Sequence, residues 1–149
     1  MKSARRRSRE IALQTLYAWQ LADGEAGQLL EQAAALEGYG RADRELVQAL
    51  VHGVLARAAE LEQRIAPHLA QRRYSELSPV ERAILNIAAF ELLAYPETPF
   101  KVILNEAIEL GTSFGGAEGY RFVNGVLEKL AAELRPDEVA RAAKARQTA

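Results

Sequence analysis

Lys2, Arg5, Arg6, Arg7 and Arg9 set five cations against one acid, Glu10, within the first ten residues. Tyr17 and Trp19 follow on the same periodic stretch. A guanidinium is a permanently charged planar fork that matches phosphate oxygens, and a neighbouring aromatic ring can stack on an unpaired base. Together these groups can recognise single-stranded RNA. The whole 149-residue chain has a formal net charge of −1, so any attraction for a polyanion must be local. The same residues also read as a solvated basic end that leads into an ordinary core helix.

The elements that must hold these groups are helical. Ala, Leu, Glu, Arg and Gln dominate, and no segment sustains period-two alternation. A first helix is predicted over 4–22, ending at Asp23-Gly24, with Ala12, Leu16 and Trp19 on its buried stripe. Arg6, Gln14 and Tyr17 project to a more polar side. A short helix near 28–36 is followed by the break Gly38-Tyr39-Gly40. Asp43 can cap a long third helix that carries Leu46, Leu50, Val54 and Leu61 up to Pro67. Ser78-Pro79-Val80-Glu81 is a capping-box start for an apolar, central helix to about 94. Glu91 projects near that helix's apolar stripe, where a carboxylate either pairs across the core, the favoured reading, or faces a partner. Thr98 is placed to cap the next helix at Pro99. A last core helix is predicted over 119–134, with Phe122 about 100° off its buried stripe. There Phe122 can be a stacking platform or can pack under the neighbouring loop. Pro136 is expected to stop the helix and leave residues 137–149 as a loosely held, charged tail.

Composition narrows the function. The chain is 49% hydrophobic and 26% charged, in the range of one folded globular domain. No apolar run approaches the roughly 18 residues of a membrane span, and no signal core follows the arginines. Neither membrane nor secretion is therefore indicated, and cytoplasm is the expected location. With no cysteine, disulfides and thiolate metal sites are excluded. His52 and His68 stand apart from any acid–base motif. There is no phosphate loop, HExxH or GxSxG, so no catalytic residue, metal or cofactor is expected. Glu106 and Glu109 lack the Glu-x-x-His pattern of a carboxylate metal bundle. The row Lys101, Asn105, Glu109 reads as a solvated or partner-facing surface.

Four blocks in order, ARRRSREIALQTLYAWQ, SPVERAILNIAAFEL, FKVILNEAIEL…SFG and YRFVNGVLEKL, resemble the NusB family of bacterial transcription antitermination factors. The resemblance runs from about Ser3 to Leu134. It implies an all-α fold of about six or seven helices in a single domain over 1–136, built of two packed helical subdomains near 1–76 and 77–136. It also implies a non-enzymatic, cofactor-free factor that, with the small-subunit ribosomal protein NusE, binds single-stranded boxA RNA of nascent transcripts. Ribosomal RNA operons are the main setting, and the RNA polymerase antitermination complex is the wider partner. Such proteins are known as monomers and as homodimers.

Carried onto this chain, the resemblance puts Arg5, Arg6, Arg7, Arg9, Gln14 and Tyr17 against RNA, with Glu118 and Phe122 on a second RNA-facing surface. It assigns Glu81 and Arg82 to the NusE contact. No role is transferred onto residues 24–44. Two other readings stand beside it: a helical adaptor that binds only protein, and an RNA-binding subunit of an rRNA-modifying enzyme.

Overall fold

The computed structural model describes residues 2–148 except 115, and the side chains of these apart from 116–120. The described residues form eight α-helices: α1 (Ala4–Ala22), α2 (Ala26–Ala33), α3 (Arg44–Ala56), α4 (Ala58–Ile65), α5 (Pro79–Ala94), α6 (Phe100–Phe114), α7 (Gly116–Leu134) and α8 (Pro136–Thr148). Short 3-10 turns lie at Tyr39–Arg41, Ala66–His68 and Tyr74–Glu76, and there is no strand among the described residues.

Helix starts follow local chemistry. Ser3 caps α1 by accepting from the Arg6 amide at 3.0 Å, and Asp43 caps α3 through the Leu46 amide at 3.2 Å. At α5 the reciprocal box forms in full: the Glu81 amide donates to Ser78 Oγ at 3.1 Å and the Ser78 amide donates to Glu81 Oε1 at 2.9 Å. Asp23, at φ 57°, and Gly24, at φ 131°, turn the chain out of α1.

α5 is the axis of the fold. It touches α1, α3, α4, α6 and α7, and its residues from Ala83 to Leu92 are all buried. One continuous apolar cluster results, drawing Ile11 and Leu16 from α1, Leu50 from α3, Ile84 from α5, Ile103 from α6 and Leu127 from α7. Gly53 of α3 lies where a Cβ would overlap the Phe90 ring of α5. G53A should therefore lower stability by about 1–3 kcal/mol despite alanine's better helix propensity. A shift of the urea midpoint at unchanged slope would show it.

Three expectations are corrected. The long third helix is two, broken at Arg57, whose guanidinium turns onto Glu60 at 2.8 and 3.0 Å. Leu61 sits seven residues after Val54, so helical periodicity runs straight through a break that no Gly or Pro marks. α7 does end at Leu134, before Pro136, but the residues beyond are helical rather than a loose tail: Pro136 opens α8, because a first-turn residue has no intrahelical amide bond to lose. These two elements raise the count above the expected six or seven. Finally, α6 takes its capping oxygen not from Thr98 but from Glu138 of α8, which accepts from the Phe100 amide at 2.8 Å.

Arg135 completes that docking. It is 8% exposed, and its five N–H groups meet the carbonyls of Glu91, Leu92, Tyr95 and Thr98 and the Glu138 carboxylate. It thus closes the C-terminal end of α5 while Glu138 closes the start of α6. The Phe100 amide holds the Glu138 carboxyl below its ordinary range; burial opposes this, and the hydrogen bond from Arg135 adds to it. A depressed carboxyl stabilises the fold above its unfolded pKa of about 4.3 and loses that contribution as pH falls through the folded value. E138Q should therefore be less stable at neutral pH and show a shallower loss of stability on acidification. Urea titrations at pH 7 and pH 3.5 would measure both.

Candidate nucleic-acid interface

The N-terminal arginines divide into buried and exposed members because a helix turns 100° per residue. Arg9 points inward and is 3% exposed. Its Nε and Nη2 donate to Glu91 Oε2 and Oε1 at 2.9 and 2.8 Å, and its Nη1 lies 3.6 Å from Glu106. Burial works against the charge on Arg9, but the Glu91 hydrogen bonds and the field of both carboxylates more than offset it, so its pKa is raised. Of the two readings of Glu91, pairing across the core is the one observed. Arg9 is accordingly corrected from an RNA contact to the cation of a buried ion pair.

The others face outward to different degrees. Arg6 donates from Nε to Glu106 Oε2 at 3.0 Å, which extends the pair into a chain from Glu91 through Arg9 and Glu106 to Arg6. Lys2 pairs with Glu10 at 2.9 Å, and Arg5 lies 3.8 Å from Asp43 with both side chains well exposed. That last contact is worth little in water. Among the described residues, Arg7 alone of the five cations makes no ion pair.

Arg7, Glu10, Gln14 and Tyr17 follow at helical spacing along one side of α1. Gln14 is half-buried, with Nε2 donating to the Glu10 carbonyl at 3.3 Å, and Tyr17 is 38% exposed. Beside them lies the 3-10 turn Tyr39–Arg41, and just after it the Asp43 amide donates to the Oγ of buried Ser8 on α1 at 2.8 Å. A cleft of about 280 Å³ opens between α1, this turn and the end of α6, lined by Arg7, Gln14, Glu37, Gly38, Arg41 and Phe114 among others. Sequence reasoning missed Arg41 and Phe114, which lie far from α1 in the chain and carry no local motif.

Phe122 packs partly against the core, and the Arg72 guanidinium covers its ring at 4.3 Å. Arg72 in turn holds Glu81 through Nη1 and Nη2, at 3.2 and 3.0 Å. Burial raises the Glu81 pKa, but the Arg72 and Ser78 hydrogen bonds outweigh it and leave the carboxyl below its ordinary value. Phe122, Arg72 and Glu81 therefore form one continuous strip between α7 and the start of α5. Arg82 lies over the Tyr74 ring at 5.2 Å, with Nη2 3.5 Å from the Leu77 carbonyl, and braces the turn before α5. The Glu118 side chain lies outside the described residues. No group of three His, Asp or Glu side chains able to hold a metal occurs among the described residues, and no described helix is long and apolar enough to cross a membrane.

The model of the NusB family matches residues 6–132. The chain belongs to the NusB family. Its relatives include the transcription antitermination protein NusB of Burkholderia cenocepacia (strain HI2424), 53% identical over 137 residues that cover 92% of this chain and 94% of the relative. The same protein of Burkholderia vietnamiensis (strain G4) is also 53% identical over the same shares. Among solved structures, T. maritima NusB superposes with a TM-score of 0.81 at 29% identity, covering 95% of this chain and 99% of the other. A crystal structure of the antitermination factors NusB and NusE in complex with dsRNA matches in fold, with a TM-score of 0.74 at 22% identity over 86% of this chain and 96% of that chain. The residues matched by the family model run from the first turn of α1 into the last turn of α7.

Proposed function

We propose that this protein is a cytoplasmic transcription antitermination factor that, with NusE, binds single-stranded boxA RNA of nascent transcripts, above all from ribosomal RNA operons. Family membership and relatives named for antitermination support this activity over that of an RNA-binding subunit of an rRNA-modifying enzyme. The observation that carries RNA recognition on this chain is Arg7, which among the described residues has no carboxylate partner, at the start of α1, with Gln14 and exposed Tyr17 along the same side.

In this reading Arg5, Arg6 and Arg7 meet phosphates, Tyr17 stacks on a base, and the Arg72-covered Phe122 with neighbouring Glu118 extends the RNA path. Phosphate contacts position the strand, and sequence preference comes from stacking and from hydrogen bonds to base edges. Glu81 and the outer part of Arg82 meet NusE; a capping carboxylate keeps lone pairs for a further donor. A handful of cations at one helix end of a chain of net charge −1 gives weak binding alone, and the partner strengthens it by lengthening the RNA surface.

The test is binding of a boxA strand and a scrambled control, with and without NusE. Tight, sequence-dependent binding in the presence of NusE is expected. Absence of RNA binding in every arm, with the protein folded, would leave the protein-only adaptor. Within the same assay, R7A should weaken binding and flatten the log–log salt slope by about 0.7, the value for one lost single-strand phosphate contact. Its helicity should be unchanged.

A further inference from the structure

We infer that the cleft between α1, the turn at Gly38–Arg41 and the end of α6 is a pocket for one unpaired nucleotide, with Arg41 and Phe114 as specificity-bearing contacts. This rests on the RNA-binding reading and gives a role to the 24–44 segment. The cleft, about 280 Å³, is polar with one aromatic wall. Arg7 and Arg41 line it from different elements, beside the Lys2–Glu10 ion pair, and among the described residues neither arginine is held by a carboxylate. Phe114, 38% exposed, is one of four large apolar side chains open to solvent among the described residues. An exposed ring beside two unpaired guanidinium groups suits a nucleotide: cations for the phosphate, a π-face for the base. Gln14 and Glu37 line the same cleft and supply amide and carboxylate groups for the base edge.

The pocket is built rather than incidental. Gly38, at φ 90°, turns the chain so that the Arg7 guanidinium lies against it, with Nη1 3.9 Å from where a Cβ would stand. Buried Ser8 holds Asp43, two residues beyond this turn, against α1. The side chains that would grip the nucleotide therefore need no backbone rearrangement to converge.

The experiment measures binding of a fluorescein-labelled single-stranded boxA oligoribonucleotide to the full chain in the presence of NusE across a salt series, for wild type, R41A, F114A and a charge control on α8, K144A. Circular dichroism and melting confirm folding of each. R41A should reduce the salt slope by about 0.7. F114A should weaken binding roughly tenfold at every salt concentration, as loss of a stacking platform does. K144A should match wild type. Binding by wild type that R41A and F114A leave unchanged would overturn the pocket while sparing the RNA-binding reading. Binding by none of the proteins would overturn both.

Discussion

R9M should lower stability by about 3–5 kcal/mol, a larger loss than any substitution of the outward-facing arginines. The methionine fills much of the space but leaves the Glu91 carboxylate, 2% exposed, without its two hydrogen-bond donors. An unpaired buried charge is the costly state; the pair itself carries a desolvation penalty that its attraction only partly exceeds. The double variant R9M/E91M should therefore recover most of the lost stability, and urea unfolding of the four-member cycle would show it. RNA binding gives the second readout. Because Arg9 is enclosed between α1, α5 and α6, the double variant should bind RNA as wild type does. Loss of RNA affinity in a fully folded R9M/E91M would return Arg9 to the RNA surface.

R135A should be the other severe change, at about 3 kcal/mol or more, since hydrogen bonds made by charged groups contribute about 1.5–3 kcal/mol each. It would leave the carbonyls of Leu92 and Thr98 without this donor at a buried helix end, the Tyr95 carbonyl with the Thr98 amide alone, and Glu138 without its cation. R135K should rescue only part of this, because one ammonium cannot reproduce five N–H groups in a planar fork. Hydrogen exchange gives a specific signature: α8 amides should lose protection ahead of the rest. Uniform loss of protection across the fold would contradict a local clamp.

How legible these features were depends on the range of the interaction. Caps are local, so Ser78, Glu81 and Asp43 could be read from a few adjacent residues, and the apolar stripes of α1, α5 and α7 from their periodicity. Arg135 and Glu138 act on α5 and α6 across some 40 positions, and no neighbour of Pro136 signals that contact. The same holds at the interface. A run of arginines on one helix end read as a uniform basic surface, but the carboxylates that neutralise Arg6 and Arg9 come from Glu91 and Glu106, more than 80 residues away. Glu106 bore no sign of this in its own helix. Periodicity did set Tyr17 and Phe122 off the core stripes, though not the guanidinium that Arg72 lays on Phe122.

The central claim is that the outward side of α1, centred on Arg7, is where RNA binds. Amide chemical-shift mapping on titration with single-stranded boxA RNA tests it most directly. The predicted result is perturbation concentrated at Arg5 to Tyr17, with a second group at Gly38 to Arg41 and a third around Phe122, moving together with RNA concentration. Shifts confined to other faces such as α8, with α1 unmoved at saturation, would contradict it.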